Sequence, residues 1–429
     1  MNPNEKAAQI AVGLGSEGEA ERKPKLESNP LLAAVCRAGT THIYADSADA
    51  NEIGELVIKS SDSIWSEVDG STANQPLVRK VVERYIAAGD LAAWAQQLRA
   101  ADASLSDDDL VVLVYAIICA RTATDVIRRF AVGRSWGASL QLHMSLGTDA
   151  ETAKRVGRLL RRMVPSGVVK VPFTPQQPHC FLVARDLERE GIPVNFTSTF
   201  SARQALAAAM LSDVTLTNIF MGRINQGLEA KLLGEHVDLV AQRALLAARR
   251  ESGAKTLLIV ASVREWQTFV DVAGCDVFTS PCKAVADFMS QTECTPADIR
   301  SQLKTSYEDR LGISPAMLEK AGHESIARLY NVEPDLVRFL TELRTSAEYR
   351  ALRDGDRLAK MFDQAGFGDL FYAPTASEWQ TMRKNKLPDF DGELAKRLPL
   401  DTLYTLLADA DFEKYQEEMD QMIRAAMRS

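Results

Sequence analysis

From about Ala34 onward, short β-branched apolar runs alternate with longer segments whose apolar residues recur at helical spacing. The runs predict eight strands, at 41–46, 64–69, 138–144, 167–173, 192–197, 214–220, 256–262 and 275–279. Between the later ones the pattern predicts helices near 149–163, 176–190, 201–211, 230–251 and 264–273. A longer helical region, about 78 to 132, separates the second and third runs. Val78, Val81, Val82, Tyr85 and Ile86 form one stripe in it, and Ser104-Leu105-Ser106-Asp107-Asp108 reads as a cap that restarts a helix. Strands alternating with helices pair in parallel through right-handed crossovers, and eight such units in roughly 250 residues are the size of a (β/α)8 TIM barrel. An open doubly wound sheet is the alternative, and it would ordinarily bind a nucleotide at its switch point.

The ends of the chain read differently. Residues 1–33 are polar and rich in Gly, Glu and Lys, with no charged-then-apolar leader pattern, and are expected to form a mobile tail before the barrel at 34–290. Residues 291–429 are expected to be a mostly helical extension packed on the barrel. Its clearest element is a helix over 409–427 striped by Phe412, Tyr415, Met419, Met422 and Ile423, and 367–374 reads as a short strand or loop.

Composition narrows the class of chemistry. Hydrophobic residues make up 46% and charged residues 25% of the 429 positions, an ordinary globular balance. The net charge of −8 supplies no global attraction for nucleic acid or an anionic membrane, so an anionic substrate would need local positive charge. No apolar run approaches the ~20 residues of a membrane span, so no membrane partner is expected. Six scattered cysteines and five scattered histidines lack metal-ligand spacing, which predicts free thiols in a reducing cytoplasm and no metal. No Walker loop or GxGxxG element is present, so neither nucleotide nor other cofactor is expected.

One stretch organises the candidate chemistry. Gly167-Val168-Val169-Lys170-Val171-Pro172-Phe173-Thr174 sets a lysine inside a run apolar enough to be buried on both faces. Burial disfavours the ammonium, and a neutral amine attacks carbonyls to form a Schiff base. The plainer reading of this octapeptide alone is a strand-end lysine whose amine snorkels to water. In a barrel, however, functional residues gather at the C-terminal ends of several strands. Those ends here carry Asp46, Asn74, Ser139 with Gln141, Lys170, Asn195 with Thr197, Asn218, Arg223, and Ser262 with Arg264. The pairs 139/141, 195/197 and 262/264 keep the parity of side chains sharing a face. Asp46 within reach could take the proton of a hydroxyl, Gln141 and Thr197 could hold a water, and Arg223, Ser262 and Arg264 could bind phosphate.

These residues carry a resemblance. IYADSAD (43–49), DGSTAN (69–74), SLQLH (139–143), VVKVPFT (168–174), GIPVNFTSTFSARQAL (191–206), NIFMGRI (218–224) and IVASVRE (259–265) resemble, in order and spacing, the transaldolase family of class I aldolases, which includes fructose-6-phosphate aldolase. The resemblance covers about residues 38 to 285 and implies a (β/α)8 barrel that needs no metal or cofactor. It implies that Lys170 is the Schiff-base lysine and Asp46 the acid/base aspartate. It further implies that Asn74 and Asn195 contact substrate, that Thr197 lies beside the catalytic water, and that Arg223, Ser262 and Arg264 bind phosphate. Transaldolases usually carry a glutamate where this chain has Gln141, which resembles the aldolase branch; that branch has a tyrosine where this chain has Phe220, which resembles transaldolase. Asn218 replaces a usual serine, and Thr72-Ala73-Asn74-Gln75 displaces the usual proline to Pro76. The expected activity is therefore transfer of a dihydroxyacetone unit between a phosphorylated ketose and a phosphorylated aldose, as in the pentose phosphate pathway or related sugar metabolism. Release of free dihydroxyacetone, or a scaffold whose pocket has drifted, are the alternatives. Oligomeric state is left open, a homo-oligomer included.

Overall fold

The computed structural model describes residues 1–18, 25–57, 63–130 and 137–428. Eight parallel strands close on themselves: β1 (His42–Asp46), β2 (Val68–Thr72), β3 (Ala138–Gln141), β4 (Gly167–Pro172), β5 (Val194–Thr199), β6 (Leu216–Phe220), β7 (Leu257–Ala261) and β8 (Val277–Ser280). Their order around the barrel follows the chain, and β8 pairs with both β1 and β7. The architecture is a (β/α)8 TIM barrel with additional C-terminal helices, not an open sheet.

Register decides what faces the interior, because directly paired residues of parallel strands point to the same side. Lys170 pairs with Gln141 on β3 and with Asn195 on β5, which puts three polar side chains in one row. Asp46 pairs with Thr72, two residues beyond the pairing of Tyr44 with both Gly70 and Thr279. Gly70 is required there: a Cβ would come within 2.9 Å of the Gly137 carbonyl and 3.0 Å of the Tyr44 ring. The alternate residues of β4 and β5, Val169, Val171, Val194 and Phe196, are buried among apolar side chains that include Phe181 and Leu187. Burial of each such side chain is worth about 1.5–3 kcal/mol, so the polar interior rests on an apolar outer layer.

Several sequence expectations change. The second barrel strand is Val68–Thr72, not 64–69; Ser63–Trp65 pairs instead with Lys25–Glu27 in a separate two-stranded parallel sheet. The helical region at 78–132 is three helices, Gln75–Ala87, Asp90–Ala101 and Asp107–Phe130; positions 131 and 132 lie outside the described residues. It breaks at Gly89, whose φ of 73° ends the first helix, and at Ser106, whose Oγ accepts from the Asp109 amide at 3.1 Å. By length and composition the helix Asp107–Phe130 could cross a membrane, contrary to the expectation that no run approaches that size. Most of it is buried in the fold, against the N-terminal helix and β3, so its apolarity belongs to the core.

The expected mobile tail also contains structure. Glu5–Ser16 is a helix capped by Asn4, whose Oδ1 accepts from the Ala7 amide at 2.9 Å. Ala7 and Ala11 are fully buried, and a Cβ on Gly15 would meet Met163 at 2.6 Å. Small residues on one face let this helix lie close against Asp107–Phe130 and Ala150–Met163. Tail positions 19–24 lie outside the described residues.

The C-terminal part ends in a helix longer than the stripe predicts, Leu400–Arg428. It crosses the C-terminal mouth of the barrel. Near its start Asp401 accepts from Arg203 and Ser201, beyond the end of β5, and Tyr404 stacks on Phe200 at 5.1 Å. In the middle Phe412 meets Phe220 at the end of β6. Toward its end Asp420 bonds His143 at 2.9 Å, just past β3, and Glu418 pairs with Arg79. Positions 367–374 form a 3-10 turn, Gly368–Leu370, and an extended loop whose Tyr372 amide donates to the Pro175 carbonyl at 3.2 Å.

Candidate active site

Lys170 sits in the middle of β4 with 4% of its surface exposed. Its Nζ donates to the Ala73 carbonyl at 2.8 Å. Burial pulls its pKa down to about 8, partly opposed by the negative charge of Asp46. An amine with that pKa is neutral in roughly a tenth of molecules at pH 7, against well under a thousandth for an ordinary lysine. The snorkelling reading is overturned: the amine ends inside the barrel.

Burial raises the Asp46 carboxyl above its ordinary value, while the charge of Lys170, a hydrogen bond from Thr72 and the charge of Arg264 pull it back. Thr72 Oγ1 donates to Asp46 Oδ1 at 2.7 Å and is itself in short contact with the Thr279 hydroxyl. Desolvation therefore moves both the lysine and the aspartate toward neutrality, and proton transfer between acid and base forms becomes easier near neutral pH.

Around this pair the interior keeps polar atoms without protein partners. Ser139 Oγ, Gln141 Oε1, Asn195 Oδ1 and Nδ2, Thr197 Oγ1 and Asn218 Oδ1 are all buried and unpaired. Buried polar groups are nearly always hydrogen-bonded, so such a cluster on neighbouring strand ends marks a place for a polar ligand or water. Inward parity of β3, β5 and β6 brings these five residues to the row of Lys170 or the next.

A second group lies past β6 and β7. Arg223 Nη2 donates to Asp411 Oδ2 at 2.9 Å, and its Nη1 is buried without a partner. Its guanidinium carbon lies 5.9 Å from the Phe220 ring and 5.4 Å from the Phe412 ring. Arg264 is exposed; burial of part of its environment and the like charge of Arg223 lower its pKa, against the pull of Asp46. The two loops touch through Gly222: a Cβ there would fall 2.0 Å from the Ser262 carbonyl and 3.1 Å from Arg264. Ser262, half-buried with a φ of 66°, turns the chain at this contact.

Two predicted residues have structural duties as well. Asn74 Oδ1 accepts from the Leu77 amide at 3.1 Å and caps the helix Gln75–Ala87. Phe220 is buried edge-on to Phe200 at 5.4 Å and so belongs to the aromatic packing at the end of β6. Sequence reasoning missed Thr72 and the middle of the C-terminal helix. Thr72 was legible in DGSTAN, two residues before the predicted Asn74. Asp409, Asp411 and Phe412 were not, because nothing local says that a helix about 200 residues downstream crosses the barrel mouth. Asp409 is buried near Ser198 and Thr174, and burial holds its carboxyl well above the ordinary range.

The site residues expected from the sequence fall within the span matched by a family model described as transaldolase/fructose-6-phosphate aldolase, which covers residues 43–328, more than half of the chain. The chain belongs to the transaldolase/fructose-6-phosphate aldolase family. It is 34% identical over 143 residues to a probable transaldolase of Aquifex aeolicus, a match covering 33% of this chain and 61% of that relative. It is 34% identical over 161 residues to a probable transaldolase of Nitrosopumilus maritimus, covering 37% and 68%. A transaldolase of Xanthomonas oryzae pv. oryzae matches at 26% identity over 263 residues, 57% of this chain and 76% of that one. The described part of the family span ends inside the helix His323–Tyr330, so the C-terminal helix and its Asp411 lie beyond it. Cys119, Cys180, Cys275, Cys282 and Cys294 are buried free thiols, and among the described residues no three His, Cys, Asp or Glu side chains gather in a metal-like cluster.

Proposed function

We propose that this member of the family transfers a dihydroxyacetone unit from a ketose phosphate to an aldose phosphate through a Schiff base on Lys170. The observation that carries this reading is the buried Lys170 amine, with a pKa near 8 and only a backbone carbonyl as partner. The neutral amine attacks the ketone carbon, and the carbinolamine loses water to give an iminium. Asp46 takes the proton from the hydroxyl on the carbon beyond the scissile bond. That carbon–carbon bond breaks, its electron pair moves toward the iminium nitrogen, and an aldehyde leaves with an enamine held on Lys170. An acceptor aldehyde reverses the steps. Gln141 and Thr197 hold the water lost and regained, Asn74, Ser139, Asn195 and Asn218 orient hydroxyls beside the Phe220 wall, and Arg223, Ser262 and Arg264 take the terminal phosphate.

Gln141 favours a second reading, an aldolase that releases free dihydroxyacetone. A glutamine cannot shuttle a proton, so deprotonation steps fall to Asp46 and a bound water. Product analysis with fructose 6-phosphate, with and without erythrose 4-phosphate, separates the two. Turnover that requires the acceptor supports transfer, whereas full-rate release of dihydroxyacetone without it contradicts transfer. The family setting and the composition fit a cytoplasmic enzyme of sugar metabolism such as the pentose phosphate pathway.

A further inference from the structure

Of the two arginines expected to bind the anion, Arg223 is already in a direct ion pair with a carboxylate of this chain. Asp411, with a buried side chain, reaches it from the helix Leu400–Arg428, and the other oxygen of Asp411 pairs with Lys386 Nζ at 3.2 Å on the solvent side. The guanidinium packs against both the Phe220 and the Phe412 rings, which themselves meet edge-to-face at 6.1 Å, so this side of it is walled by aromatic carbon. Its remaining edge, Nη1, is buried and has no acceptor. Leaving a buried donor unpaired costs about 1–3 kcal/mol, more for a charged group, and an anion entering beside Arg264 would remove that cost.

We propose that Asp411 is a specificity-determining residue of this subsite. It leaves one free guanidinium edge beside Arg264 and sets a carboxylate against any incoming anion, so the pocket discriminates weakly in favour of a phosphate dianion over a neutral or singly charged terminus. Lys386 tunes the effect by sharing the carboxylate. The proposal rests on the assignment of Arg223 and Arg264 to the substrate's terminal group, and it names which such groups the site accepts. Two unit charges a few ångströms apart at a protein surface interact by several kcal/mol before screening, enough to alter a substrate ranking.

The test is calorimetric titration of the full chain with inorganic phosphate, alongside the ratio of kcat/KM for fructose 6-phosphate to that for fructose. Asp411→Asn is expected to tighten phosphate binding and raise the ratio about tenfold, on the order of 1.4 kcal/mol. Lys386→Gln, an exposed change that leaves the carboxylate wholly on Arg223, is expected to shift both in the opposite direction by about threefold. Asp391→Asn removes a charge paired with Lys320 at the surface and controls for net charge. Unchanged or weakened phosphate binding in Asp411→Asn, with Lys386→Gln also silent, overturns the proposal whatever the enzyme's activity. Absence of a ketose adduct on Lys170 in the unaltered chain would instead overturn the Schiff-base reading, and the titration would still stand.

Discussion

Two of the arginine–aspartate pairs that join the helix Leu400–Arg428 to the barrel differ in how fully they are satisfied. Asp401 accepts from Arg203 Nε at 2.7 Å and Nη2 at 2.8 Å, from Ser201 at 2.7 Å and from the Thr402 amide at 3.0 Å. Arg203 Nη1 completes its own set on Asp369 at 3.0 Å. Attraction and hydrogen bonding outweigh burial, so Arg203 is held more firmly protonated and Asp401 lies below the ordinary carboxylate range. Ten residues further along, Asp411 meets Arg223 through a single contact and leaves Nη1 empty. A saturated pair fixes the helix, while an unsaturated one has capacity left for a ligand. The difference separates a fully satisfied anchor from a pair with a donor to spare within one element.

Breaking the anchor should have the largest effect. Asp401→Asn leaves Arg203 half-paired in a buried place and should destabilise the fold by about 3–5 kcal/mol in denaturant unfolding, the usual result of removing one partner of a buried ion pair. Asp411→Asn should cost less than half as much, because Arg223 had an open edge from the start. Equal losses at the two positions would erase the distinction drawn between them.

The barrel interior sharpens the same contrast from the other side. With a folded-state pKa near 8 and an ordinary value of 10.5, Lys170 binds a proton less readily in the fold than in the unfolded chain. The unfolded chain therefore holds the extra proton between about pH 8 and 10.5, and stability from this group rises with pH through that window. Below pH 8 the burial penalty is fully present. Lys170→Met should accordingly stabilise the protein at pH 7 by about 2 kcal/mol while removing turnover, the pattern of a residue kept for chemistry at a cost in stability. A destabilised Lys170→Met protein would show that the lysine is part of the framework.

The sequence carried the barrel because the period of its apolar positions switches between strand and helix, and Gln141 and Asn195, which flank Lys170 in the sheet, stood out as polar residues at strand ends. It misplaced β2 because Gly70 and Ser71 interrupt the apolar run just where close packing against Tyr44 demands a glycine. It misread the N-terminal helix because AAQIAVGLG buries alanines and a glycine, residues too small to give a strong stripe. The proposed anion subsite was half legible: Arg223 and Arg264 follow strand ends, but Asp411 reaches Arg223 only through tertiary packing of a helix with no local mark of its destination.

The central claim is that Lys170 is the nucleophile, and reductive trapping tests it most directly. The protein is incubated with fructose 6-phosphate and sodium borohydride across a pH series, digested, and mapped by mass spectrometry. The account predicts a reduced adduct on the peptide containing Lys170, absent in Lys170→Met, with an initial trapping rate that rises with pH about a midpoint near 8. An adduct on a different lysine, or none on Lys170 at any pH, would contradict it.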